Sequence, residues 1–235
     1  MALVERPDYY QRDTLGFRLR QKRFARFQAL IEHVYEQRGQ VNILDLGGTE
    51  TYWRVAGESL TDCNCRISLL NPALSEQPDH PNFSLEPGDA RDLHHLPDNA
   101  FDVVHSNSVI EHVGGWWDMR KVAEEVRRLA PRYFVQTPNF WFPIEPHFRA
   151  PLLHWLPEQL RARLLQHVHL GFAERKQANM DEAMCRVHGV TLLDKAQLAA
   201  LFPDARIETE TFGLLTKSLI AVRDEPPRRE AESRA

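Results

Sequence analysis

Four short apolar runs recur along the chain, each followed by a turn: VNILDL (41–46), CRISLL (65–70), FDVVHS (101–106) and RYFVQT (132–137). Runs this short and this apolar are strands buried on both faces, the mark of a parallel sheet covered by helices. Between them lie stretches with helical spacing. LGFRLRQKRFARFQALIEHVYEQR (15–38) repeats Phe24, Phe27, Leu30, Ile31 and Val34 along one face, and Gly39 follows as a stop. Further helices are expected near 53–60, from Trp117 to Leu129 before Pro131, from about Pro157, and over 194–203 with Asp194 at the N-cap. NFSLEPGDARDL (82–93) holds a short third strand and a loop. Strands alternating with helices predict an α/β chain, its sheet mostly parallel with helices on both faces. The last two runs, ARIETETF and TKSLIAVR, are separated only by Gly213-Leu214-Leu215, so they pair antiparallel.

The pattern divides the chain into an N-terminal helical cap (1–40), one α/β domain (41–223) and a polar tail (224–235) expected to be disordered. Within the domain, about 140–190 is aromatic and proline-rich before turning helical, the place for a lid or substrate wall. A net charge of −4 disfavours a protein built to hold nucleic acid, so none is expected as a partner. The sequence shows no secretory signal and no apolar run long enough to span a bilayer, so a cytoplasmic location is expected. Its three cysteines form no disulfide framework and no zinc spacing. Nothing in the pattern sets an oligomeric state.

The loop after the first strand, in ILDLGGTETYW (43–53), places Asp45 at the carboxyl edge of the sheet, where ligands of open α/β folds bind. A dinucleotide turn calls for three glycines; here Thr49 stands at the second position and the third is missing. An NAD-dependent oxidoreductase is therefore the weaker alternative. A cofactor without a pyrophosphate needs fewer glycines.

Taken with GDARDLHHLPDNAFDVVHSNSVIEHV (88–113), the chain resembles the class I S-adenosylmethionine-dependent methyltransferases. Within them it is similar to the broad type 11 group that includes ubiquinone-biosynthesis methyltransferases. The resemblance implies a Rossmann-like, seven-stranded sheet with the last strand antiparallel. It implies S-adenosylmethionine as cofactor and S-adenosylhomocysteine as product. It carries the methionine end of the cofactor onto Asp45, Gly47 and Gly48, with Thr49 in place of a glycine. The ribose hydroxyls fall to Asn71, where the family usually has an acid, the adenine to Asp89 and the Ala90 backbone, and the approach to the sulfonium to Ser106. The implied activity is methyl transfer to a small-molecule, glycan-type or lipid-type acceptor, at oxygen. The departures at Thr49 and Asn71 keep a non-catalytic S-adenosylmethionine-binding protein as the alternative.

An oxygen acceptor must lose its proton, and Glu111, His112, Glu145 and His147 follow strands four and five, where a base is needed. His112 and His147 each read equally as a base or as a packing residue; Glu111, His112 and His147 are the catalytic candidates. Some family members hold a divalent metal with Glu-x-x-Glu-His. Here the first Glu is Ser108, in Ser108-Val109-Ile110-Glu111-His112, so no metal ligands are assigned and a metal is the weaker reading. Trp116-Trp117 and Phe140–Phe142 read as core packing or as an apolar acceptor pocket.

Overall fold

The computed structural model describes residues 15–53, 62–73, 78–145, 147–148, 150–169 and 176–225. Helix α1 (Leu15–Arg38) forms where the apolar spacing predicts, with Phe24, Phe27, Leu30, Ile31 and Val34 all buried. Gly39 ends it in the left-handed region, φ 69°, and its N–H donates to the Tyr35 carbonyl at 2.7 Å.

The central sheet is built from β1 (Val41–Leu46), β2 (Cys65–Leu70), β3 (Phe83–Leu85), β4 (Val103–Asn107), β5 (Arg132–Pro138), β8 (Arg206–Phe212) and β9 (Leu215–Arg223). Its order is β3-β2-β1-β4-β5-β9-β8. The first five strands in that order pair in parallel. β9 runs antiparallel to both β5 and β8, so six strands point one way and one the other. The chain leaves β1 outward to β2 and returns to β4 on its other side. This reversal opens a crevice at the carboxyl ends of β1 and β4.

Alternation along the strands feeds a core on each face. One is Ile43, Ile67, Phe134 and Ile220 under α1 and Trp53. The other is Leu44, Val104, Tyr133, Val135 and Leu219 under α3 (Trp116–Leu129) and α6 (Lys195–Leu201). Asp194 caps α6 with a reciprocal capping box through Gln197, as its position predicts.

The segment after β5 is more ordered than its composition suggests. β6 (Ile144–Glu145) and β7 (Ala150–Pro151) form a two-stranded ladder, followed by α4 (Glu158–His167) and α5 (Met180–His188). Phe148, Leu153, Ala162, Leu165, Ala183 and Val187 give this segment its own small core. α5 is not legible in advance because it buries only Ala183 and Val187; its clearest signal is Asn179, which accepts from the Glu182 N–H as N-cap.

Other boundaries move for local reasons. β4 begins at Val103, since Asp102 takes the Asn42 N–H (2.8 Å) and an Arg38 ion pair (2.8 Å) at the strand entrance. The helix expected near 53–60 starts earlier, as α2 (Glu50–Trp53); 54–61 and the tail from 226 lie outside the described residues. Among the described residues no helix is long and apolar enough to cross a membrane.

Candidate active site

The loop after β1 is shaped by its two glycines and one buried acid. Gly47 has φ 67°, and a Cβ there would lie 2.5 Å from Val109 Cγ2. A Cβ on Gly48 would fall 1.8 Å from Asp45 Oδ2. Asp45 cannot move aside: it is 1% exposed, its Oδ2 accepts from Trp53 Nε1 at 2.7 Å and its Oδ1 faces His105 Nδ1 at 2.7 Å. A carboxylate can only accept here, so His105 carries its proton on Nδ1. His105 Nε2 lies 3.4 Å from the Tyr52 hydroxyl, whose pKa burial pushes up.

Thr49 and Asn71 acquire physical reasons. The Tyr52 N–H donates to the Thr49 carbonyl at 2.9 Å, and Thr49 Oγ1 adds a second acceptor at 3.2 Å that a glycine would lack, at the start of α2. Asn71 follows β2 and donates from Nδ2 to the carbonyls of Gly47 (3.3 Å) and Gly48 (3.0 Å). Its Oδ1 accepts from the Ala73 N–H at 3.0 Å. An ionised acid at 71 would set its oxygens against two carbonyl oxygens, so the neutral amide is what this turn requires. Asp45, Gly47, Gly48, Thr49 and Asn71 thus form one braced turn.

A Cβ on either glycine would collide with Val109 or Asp45, so packing within the turn itself requires both glycines. Asp89 and Ala90 lie in the loop after β3. Asp89 is gripped by Arg91 through Nε and Nη2 (2.9 and 2.6 Å), which holds its carboxyl below the usual range and ionised. It remains half-exposed and able to accept further bonds. Ala90 and Ser106 are buried, Ser106 within β4 between Leu46 and Val135.

Beyond β4 and β5 the candidate catalytic residues converge. Glu111 and His112 sit in a 3-10 turn (Ile110–His112), and His147 follows β6. His112 Nδ1 faces the Gly189 carbonyl at 2.9 Å; His147 Nδ1 faces Glu145 Oε1 at 2.5 Å. Both partners only accept, Glu145 being held below the carboxylate range chiefly by His147, against its burial. Each ring therefore keeps its proton on Nδ1, and two bare Nε2 lone pairs face each other at 3.0 Å. Such a contact needs a shared proton or another cation. Burial, with His147 adding, holds His112 below the ordinary imidazole range.

Glu111 completes the group. It is buried, which pushes its carboxyl up to about 7. Oε2 accepts from Thr137 Oγ1 at 3.0 Å, while Oε1 is buried with no hydrogen-bond partner among the described residues. Donor atoms of Glu111, His112 and His147 all lie within 4.8 Å of one another, a set that suits a divalent ion. Glu145, which also accepts from the Phe148 N–H, braces the group from behind.

Sequence reasoning missed Arg23 of α1. Its guanidinium reaches the strand ends, bonding Asn107 Oδ1 (2.6 Å), Gln136 Oε1 (2.9 Å) and Glu210 through two nitrogens (2.8 and 2.6 Å). The available signal was an arginine directly before the apolar Phe24. The aromatic pairs are less buried than core packing predicts: Trp117 is 70% and Trp141 62% exposed.

Residues 47–132 match a family model described as a methyltransferase domain. The sequence matches no curated protein. Among solved structures, the DszA carbon methyltransferase aligns with TM-score 0.50 at 13% identity, over 86% of this chain and 54% of that one. Magnesium protoporphyrin IX methyltransferase (ChlM) from Synechocystis PCC 6803, with bound SAH, aligns with TM-score 0.48 at 12% identity, over 88% and 84%. A putative methyltransferase from an antibiotic biosynthesis pathway of Anabaena variabilis ATCC 29413 gives 0.45 at 16%, the alignment spanning 78% of this chain and 64% of that one, less than two thirds of its length.

Proposed function

We propose that the chain, whose residues 47–132 match a methyltransferase-domain model, uses S-adenosylmethionine to methylate an oxygen of a small-molecule, glycan-type or lipid-type acceptor. When bound, the cofactor supplies an electrophilic methyl on a sulfonium. Asp45 and Asn71 hold the Gly47-Gly48 turn so that backbone can close on the methionine end. Asp89, with the Ala90 backbone, takes the adenine, and Ser106 lies toward the sulfonium.

The observation that carries the acceptor chemistry is the His112–His147 contact. With the cofactor bound, the acceptor oxygen would take the methyl carbon and the carbon–sulfur pair would remain on sulfur. The acceptor proton passes to Nε2 of one ring. Glu145 behind His147 steadies the imidazolium that results, as an orienting carboxylate does in other acid–base pairs. Glu111 and Thr137 set the floor of the site.

The same geometry favours a second reading, a divalent metal on Glu111, His112 and His147. The two Nε2 atoms, 3.0 Å apart with Glu111 beside them, would hold such an ion between them. Glu145 and the Gly189 carbonyl behind the rings are the outer partners metal-binding histidines require. An ion there would polarise the acceptor hydroxyl and ease its deprotonation.

Isothermal titration with S-adenosylhomocysteine tests the cofactor assignment, and absence of binding at millimolar ligand overturns it. A thermal-shift comparison with NAD separates the oxidoreductase alternative. Transfer of labelled methyl in an acceptor screen separates the non-catalytic one. His147→Ala and His112→Ala should both abolish transfer while leaving S-adenosylhomocysteine bound. Full activity after chelation would sink the metal reading and leave the base.

A further inference from the structure

The β8–β9 hairpin carries an irregularity at the same edge of the sheet. Its register runs one for one from Arg206↔Val222 to Glu210↔Ser218, then resumes at Thr211↔Thr216, leaving Lys217 without a partner. This is a β-bulge, a device that re-aims a side chain. Regular alternation would send Lys217 to the face of Leu219 and Ala221, into the core beneath α3. Instead Lys217 and Ser218 both line a cavity of about 140 Å³ with Arg23, Gln136, Asn139, Phe142 and Ile144. Ser108, just past β4, and Pro138, at the end of β5, line it as well, so the cavity opens on the carboxyl edge.

The charges of this cavity do not balance internally. Arg23 is spent: Glu210 neutralises it through two hydrogen bonds, and its remaining nitrogen serves Asn107 and Gln136. The Lys217 ammonium has no hydrogen-bond or ion-pair partner among the described residues. Burial, with Arg23 and Arg20 adding and Glu210 opposing, pushes its pKa down, so an anion beside it would relieve a cost the fold now carries.

We propose that Lys217 and this cavity form a subsite for one negative charge, a carboxylate, on the methyl acceptor, with Phe142 and Ile144 against the apolar part of that molecule. Calling the ligand the acceptor rests on the methyl-transfer reading; the anion subsite itself does not. A single uncompensated cation matches a monoanion. A dianion would bring an unbalanced charge toward Glu210. The cavity holds a carboxylate and a few carbons. The bulge, which costs a ladder pair, is then a functional feature of the hairpin.

The test is titration of the full chain, by NMR or calorimetry, with benzoate, benzamide and phenyl phosphate, with and without S-adenosylhomocysteine. Benzoate should bind at least about tenfold tighter than benzamide, a difference of about 1.4 kcal/mol. Lys217→Met should lose that preference and Lys217→Arg should keep it. If Lys217→Met fails to fold, Lys217→Gln, which keeps a polar end without the charge, is read instead. Equal affinity for benzoate and benzamide, an unchanged preference in the Lys217 variants, or no benzoate binding overturns the subsite. Tighter binding of phenyl phosphate overturns the carboxylate assignment. Loss of S-adenosylhomocysteine binding with the benzoate preference intact would overturn methyl transfer and leave the subsite standing.

Discussion

Asn71 illustrates how one residue can depart from a family pattern and gain a purpose. Its amide must donate to two carbonyls, so Asn71→Asp should loosen the Gly47-Gly48 turn. The expected cost is about 1–3 kcal/mol in urea unfolding, with weaker S-adenosylhomocysteine binding in calorimetry. Glu111 makes a sharper test. Its carboxyl is raised to about 7, so the fold favours the protonated form. The stability this contributes is complete below the unfolded value near 4.5 and lost as pH rises through about 7. In metal-free protein, unfolding free energy should fall by on the order of 3 kcal/mol between about pH 5 and pH 8, and Glu111→Gln should remove that fall. A wild type and variant with parallel pH profiles would contradict the assignment. The motif around Glu111 and His112 was legible in the sequence. Thr137 and Gly189 were not, and His147, though a candidate beside them, gave no sign of its direct contact with His112, because contacts across 26 to 77 positions leave no periodic trace.

Helix α1 shows the same division among elements. Its existence and limits follow from spacing and Gly39, since a buried apolar stripe and a left-handed stop are both local. Its attachment to the strand ends depends on Arg23, which ties it to β4, β5 and β8. Arg23→Met should leave Glu210 without its partner and destabilise the protein by about 3 kcal/mol in denaturant unfolding. By contrast Asp194→Ala, which removes the α6 cap and leaves the bonds of Arg23 intact, should cost only about 1 kcal/mol and spare S-adenosylhomocysteine binding. The β9 bulge was invisible beforehand: TKSLIAVR reads as an unbroken strand, and only its pairing with β8 exposes the extra residue.

For the molecule as a whole, the segment after β5 returns to the sheet edge through the site itself. Thr191 donates its N–H to the Glu111 carbonyl (2.8 Å), and Phe140 donates to Leu193 (2.9 Å). His147 meets His112 across this junction, so an ion held there would clasp the segment to the sheet. Under the metal reading, manganese or zinc should raise the melting temperature, by about 2.7 kcal/mol of stabilisation at a hundredfold excess over Kd, and His147→Ala should abolish the rise. The sequence by itself determined the α/β class, the central strands, the first helix and the glycine turn after β1. Each is written in short-range periodicity or in a glycine that a local backbone demands. Only the tertiary structure decided that Asp45 is spent on Trp53 and His105, that two imidazole lone pairs face each other, and that Lys217 turns into a cavity. Those depend on strand order and on a one-residue register shift, which bring distant residues together through packing that no local pattern encodes.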